Sequence, residues 1–307
     1  MAKLKLNIDK LVKAAVIGEV ASPVLRSGYQ VSHDGQAMNL PSIGGITYNV
    51  KIGDSVRGWV GDHVEPGVST YNKENKGEDG GRYSTENFGY NVLSSIGNEA
   101  TLISGKAKNK KGIVTGTHGG AEHVLIDFPN DVLKKLVYGN KVQVTAFGLG
   151  LSLIDFPKIK FFNLDPNLLL KINPKINSKK ELEFPVVVTV PPYLMGSGLG
   201  AGSVVSGDYD ITLSDEKVVK KLGLDKLRFG DIVAIEDTDN SYGRVYRQGA
   251  VTIGVVVHSD CVLAGHGPGV TTIATSKEGR IKPVINKNAN IGYYLKIGRW
   301  RKELHGK

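Results

Sequence analysis

The chain has 307 residues, 40% of them hydrophobic and 22% charged, which is enough apolar material for a sizeable core and for two or three domains. That balance excludes a disordered chain, and its 39 glycines favour tight turns and β structure over helix bundles. The net charge of +9 admits a nucleic-acid partner, although most of the excess is lysine, which equally suits an ordinary basic surface.

A single cysteine, Cys261, excludes a disulfide within the chain and suits a reducing cytoplasm. No run approaches the ~18 apolar residues of a membrane helix. Met1 to Val20 carries Lys3, Lys5, Lys10 and Lys13, so it lacks the apolar heart of a signal peptide. The expectation is a cytoplasmic protein that does not engage a membrane.

The opening reads either as a short helix, Ile8 to Ala15, running into a strand, or as extended throughout. From residue 43 the pattern is β: Ile46 to Val50, a Gly53-Asp54 turn, then Val56 to Val60. Residues 71–91 are polar and predict an exposed loop, a lid or a plain excursion. These form a first unit, 1–92. A second, 93–183, holds a basic turn at 106–111, a glycine-rich segment at 114–122 and a strand from His123 to Phe128. It continues with a short helix from Pro129, a strand from Lys141 and a helix over 164–172 capped by Asp165 with Pro166 in its first turn. A basic stretch at 175–180 closes it. The third, 184–307, contains a buried strand from Phe184 and an amphipathic helix, Asp215 to Leu222, with Ser214 as N-cap and Gly223 at its end. Strands at 227–235 and 250–257 and a basic tail follow. Each unit has a Gly-Asp or Gly-Asn turn that starts a strand, at residues 53, 139 and 230. The fold class expected is mainly β (α+β), with two or three small β-barrel-like units and a few short helices.

The stretch most suggestive of chemistry is 250–275. An apolar run, Val251 to Val257, ends in His258-Ser259-Asp260, and a second ends in Gly265-His266-Gly267-Pro268-Gly269. Continuous β-branched runs read as buried strands. If the first stays extended, His258 and Asp260 share a face, with Ser259 and Cys261 opposite. His258, Asp260 and His266 are therefore the catalytic candidates, either on a metal or as a general base with an orienting carboxylate. Gly265, Gly267, Gly269 and His118 are candidates for substrate binding, because glycines let backbone approach a ligand. Asp62, His63 and Glu65 form one candidate set of metal ligands. Asp208 and Asp210, alternating around Tyr209, form another that suits a hard cation. The sequence names no cofactor; a divalent metal is the candidate these residues allow. The competing reading makes these a hydrogen-bonded histidine pair and a solvated turn.

Two further patterns stand out. His63-Val64-Glu65-Pro66-Gly67-Val68 is similar to His266-Gly267-Pro268-Gly269-Val270, as if two half-sites were related. In the loop 196–203, Gly196, Gly198 and Ala201 have dinucleotide-site spacing, but no helical period follows, which argues against a Rossmann site and leaves a loop or a backbone anion nest.

Gly44-Gly45-Ile46-Thr47-Tyr48-Asn49-Val50, Gly58 to Val68, Gly116-Thr117-His118-Gly119-Gly120 and the His258 to Gly269 motif together resemble an uncharacterised prokaryotic family, a domain of unknown function found often in thermophiles. The likeness spans nearly the whole chain. It implies a β-rich protein of barrel-like units and brings no catalytic residues with it. Gly207-Asp208-Tyr209-Asp210 and the late His/Gly loop also resemble acetamidase/formamidase hydrolases, which are β-rich and metal-associated. Three functions follow as expectations: a metal-assisted hydrolase or related small-molecule enzyme, a non-enzymatic small-molecule binder or homo-oligomeric structural protein, and a nucleic-acid-binding barrel.

Overall fold

Six antiparallel strands in the first half of the chain close on themselves. A computed structural model describes residues 4–24, 28–41, 44–74 and 83–302. The closed ladder runs Ala14–Val20, Lys141–Ala146, Glu99–Leu102, Lys111–His118, His123–Asp127 and Gly67–Tyr71. It returns to the first strand through Glu19 opposite Tyr71 and Val20 opposite Thr70. Alternation fills the inside: Val142 and Val144, Ala100 and Leu102, and Val68, Val114, Val124 and Ile126 are all buried together. The barrel spans residues 14–146, so strands on both sides of residue 92 share it.

A second, open sheet has the order Lys160–Phe161, Gly269–Ser276, Val245–Val256, Ile232–Asp239 and Val188–Val190, with Tyr209–Asp210 paired to the start of the Gly269 strand. Its apolar residues join those of the 166–172 helix in the larger core, which includes Leu168, Leu169, Ile253, Val255, Val257 and Ile273. A small third sheet pairs Leu182–Val186 with Ile281–Ile285 and Lys175–Ile176. The chain is thus mainly β with short helices, as its patterning predicts.

Several local expectations change. The helix expected from Ile8 is a single 3-10 turn, Ile8–Lys10, before the Ala14–Val20 strand. Asp165 caps Pro166–Ile172 as expected, accepting from the Asn167 N–H. The later helix is Glu216–Leu222, and its cap is Asp215, which accepts from the Lys217 and Val218 N–H groups, rather than Ser214. The loop expected over 71–91 gives way to a helix, Thr85–Leu93, capped by Ser84; residues 75–82 lie outside the described residues. That helix hides from a polarity reading because its buried side includes Asn87 and Asn91, whose amides donate to the Glu122 carbonyl. No helix among the described residues is long and apolar enough to cross a membrane.

The barrel and the open sheet meet at one glycine. The Lys111–His118 strand carries a bulge between Val114 and Gly116. A Cβ on Gly116 would collide with the Val257 side chain. The bare backbone there lets Thr271 Oγ1 donate to the Thr117 carbonyl at 2.9 Å. This close approach sets His118, at the end of a barrel strand, against His258, just past the end of an open-sheet strand.

Candidate metal centre

Four segments supply the site: the loop before the Gly67–Tyr71 strand, the end of the Lys111–His118 strand, residues 208–210, and the loop between the Val245–Val256 and Gly269–Ser276 strands. The His118 and His258 ring centroids lie 4.2 Å apart, those of His63 and His258 5.0 Å, and those of His63 and His118 5.6 Å. One ligand atom from each of the three falls within 4.8 Å of the others.

The outward nitrogens of these rings are already engaged. His63 Nδ1 lies 3.0 Å from Asp62 Oδ2, His118 Nδ1 is bonded to Glu65 Oε1, and His258 Nδ1 donates to the Ser259 carbonyl at 2.9 Å. Each acceptor fixes its imidazole with Nε2 as the remaining nitrogen, which is how proteins orient metal-binding histidines. Glu65 is fully buried and also receives His123 Nδ1, at 3.1 Å. His123 stands opposite His118 in the hairpin register, so one carboxylate locks both rings.

Two carboxylates face the Nε2 atoms. Asp208 and Asp210 flank Tyr209 on one face of a short strand, as alternation predicts, while Tyr209 turns into the core. Asp208 Oδ2 is 2.9 Å and Asp210 Oδ1 3.6 Å from His258 Nε2. His266 Nδ1 lies 3.0 Å from Asp210 Oδ2 and 3.2 Å from His63 Nε2. Yet His258 Nε2 and Asp208 Oδ2, face to face, are out of hydrogen-bond alignment, and both remain buried without a hydrogen-bond partner. Metal–ligand bonds of ~2.1 Å imply ligand–ligand edges of about 3.0–3.4 Å, close to these separations.

Carboxylates and imidazoles in the cluster hold one another charged. Burial opposes ionisation of all four carboxylates, yet each is held below its ordinary range. Asp62 drops to about 2 because His63, Cys261 and the Val262 N–H donate to it. Glu65 lies well below its usual value beside His123 and His118. Asp208 is lowered chiefly by His258, and Asp210 by His258 and His266. Burial pushes the His63 imidazole down. It works the same way on His258, but Asp208 and Asp210 overcome it and raise that ring well above its ordinary value. The positive charge that keeps these buried carboxylates ionised comes from the imidazoles beside them, His258 above all at Asp208 and Asp210.

Glycine makes room for this cluster. A Cβ on Gly269 would overlap Asp208 Oδ2 and His258 Nε2. Gly267 donates its N–H to Asp210 Oδ2 at 3.3 Å. Gly267 and Gly269, expected to bind substrate, thus shape the ligand set and do not line the adjoining cavity, while Gly265 lines a neighbouring one beside His266. That cavity, about 460 Å3, is lined by His63, His118, Asp208, Asp210, His266 and Arg244, together with glycines and serines of the 196–207 loop.

Asp260 does not join His258. The strand ends at Val256, and the following N–H groups turn to a different partner: Ser259 donates to the Val64 carbonyl and Asp260 to that of Val56. Period-two alternation stops there, and Asp260 instead lies 3.3 Å from Arg57 Nε and accepts from the Cys261 N–H. The same turn brings Cys261, expected to face away, to within ligand distance of His63 and His266. Burial and the nearby Asp62 push its thiol up, which keeps it protonated and poorly nucleophilic. Asp62 and Glu65, expected as ligands, hold imidazoles instead. Arg244 was not singled out by any spacing, since it is one arginine in a hairpin turn.

Family models cover most of the chain: "Domain of unknown function (DUF4438), N-terminal" over residues 29–170 and its C-terminal counterpart over 171–295. The chain belongs to the DUF4438 family. A solved structure, "Crystal structure of TM1086", is similar, with 47% identity over 95% of this chain and 99% of that one and a TM-score of 0.88. No curated protein matches. The family resemblance read from the sequence is therefore correct; the fainter acetamidase/formamidase likeness finds no counterpart among these matches.

Proposed function

We propose that this DUF4438 protein is a metal-assisted hydrolase acting on a small molecule in the 460 Å3 cavity. The observation that supports this reading is the buried pair His258 Nε2 and Asp208 Oδ2, 2.9 Å apart but out of hydrogen-bond alignment, set among two further imidazoles whose outer nitrogens are tied down. His63, His118 and His258, with Asp208 or Asp210, would hold a divalent ion. Such an ion supplies a Lewis acid and a water that ionises near neutral pH.

The chain's own groups do the rest. Asp62, Glu65 and the Ser259 carbonyl keep the three rings in one tautomer. His266 sits at the mouth with 33% of its side chain exposed, in contact with Asp210. It is placed to take a proton and pass it to solvent. The serine- and glycine-lined wall admits substrate without bulky side chains.

The test is chelator-stripped protein reloaded with Zn2+, Mn2+ or Co2+ and assayed on a panel of amides, esters and phosphoesters. Turnover that requires the ion and falls at least ~100-fold in Asp210→Asn supports the reading. Tight ion uptake with no turnover on any compound would replace it with a non-enzymatic binder at the same site.

A further inference from the structure

Arg244 is a buried cation on the cavity wall that the metal reading does not use. Its residue is only 3% exposed, and it lines the same cavity as His118, Asp208 and Asp210. The backbone pins it: its N–H donates to the Ala201 carbonyl at 3.0 Å, and its carbonyl accepts from the Gly200 N–H at 2.9 Å. The guanidinium carbon stacks 4.9 Å from the Tyr209 ring centroid, which holds the fork in a plane.

What is missing is an anion. The guanidinium reaches only two carbonyls, Gly198 at 3.4 Å and Ser206 at 3.5 Å, both at the outer limit of a hydrogen bond. Its Nε is buried with no partner. Asp208, Asp210, Tyr209 and Glu122 act on it through space, but none of them forms a salt bridge with it. A guanidinium buried to this degree with no carboxylate in direct contact is costly, and a planar fork with a free donor matches a two-oxygen anion. Ser197, Ser203 and Ser206 line the cavity around it and can add hydroxyl donors.

We propose that Arg244 is a substrate-binding residue and that the substrate carries an oxyanion, a carboxylate or a phosphate, separate from the bond that is hydrolysed. This rests on the hydrolase reading for the reaction, while the anion site itself stands on Arg244. The fork holds the oxyanion in a fixed plane while the rest of the molecule extends toward His63, His118 and His266. A neutral compound of the same size lacks the group the fork is built to take.

The experiment is calorimetric titration of wild type, Arg244→Gln and Arg244→Lys with acetate, inorganic phosphate and the neutral control acetamide. Each protein is titrated with its metal content measured and again after chelator treatment. Wild type is expected to bind at least one anion. Arg244→Gln should weaken that binding about tenfold or more at unchanged metal content. Arg244→Lys, which keeps the charge but not the fork, should retain phosphate better than acetate. Acetate and phosphate also separate the two sources of the chemistry, since the preferred anion names the substrate class. Equal anion binding by wild type and both variants, or none by wild type, overturns the proposal. Failure of reloaded wild type to take up metal would instead defeat the hydrolase reading; Arg244-dependent anion binding by the ion-free protein would still support this one.

Discussion

The segments 62–71 and 258–276 use the same turn for opposite purposes. Each has a histidine, then a Pro-Gly pair, then a strand that begins at the glycine, Gly67 in one and Gly269 in the other. The two histidines meet, His63 Nε2 lying 3.2 Å from His266 Nδ1. In the first segment Asp62, His63 and Glu65 are all buried and committed to partners. His63 even adopts a left-handed backbone, φ +50°, a strain the surrounding contacts must hold. In the second, His266 sits on an open glycine loop at the mouth. The first segment is the anchor that orients rings, and the second is the working edge.

The largest effect should come from breaking the anchor. Glu65→Ala leaves His118 and His123 buried without their shared acceptor, and a loss of ~3–5 kcal/mol in urea-induced unfolding is expected, by analogy with other broken buried pairs. A loss below about 1 kcal/mol would mean that Glu65 is not what locks the rings. The glycines give the next contrast. At Gly67, φ +78°, a Cβ would strike the Ile126 carbonyl, so Gly67→Ala should lower the melting temperature while leaving ion binding intact. Gly269→Ala should remove ion uptake as well as lower the melting temperature, because a Cβ there would overlap Asp208 and His258. Equal effects from the two would erase the distinction between anchor and edge.

The pH dependence separates the segments further. Glu65 is held well below its unfolded value of 4.5, so its contribution to stability is present above that pH and is lost as pH falls through the folded value. Glu65→Gln should therefore flatten the acid limb of a stability–pH curve, whereas His266→Ala should leave that limb unchanged. The smallest effect expected is on global stability in His266→Ala, under about 1 kcal/mol, because the side chain is one-third exposed. A larger loss would place His266 in the anchor.

Much of this was legible in the sequence. The barrel strand from His123 announces itself as a continuous apolar run and that from Lys141 by alternation, and the His/Pro/Gly turns and the Asp208–Asp210 pair mark the site. Illegible parts share a physical cause, since each depends on contacts between distant segments. Asp260 fails as a partner for His258 because its N–H pairs with Val56, some 200 positions away, and no local period reports that. The bulge before Gly116, which brings His118 to His258, depends on Val257 across the junction. The Thr85–Leu93 helix buries asparagines rather than leucines. Arg244 becomes meaningful only once the cavity exists.

The most direct measurement is the divalent-ion content of purified wild-type protein and of a His118→Ala/His258→Ala variant, by elemental mass spectrometry after dialysis against Zn2+ or Mn2+. About one ion per chain in wild type, lost in a variant that still folds, is the predicted result. Wild type that holds no more ion than the variant would contradict the metal centre.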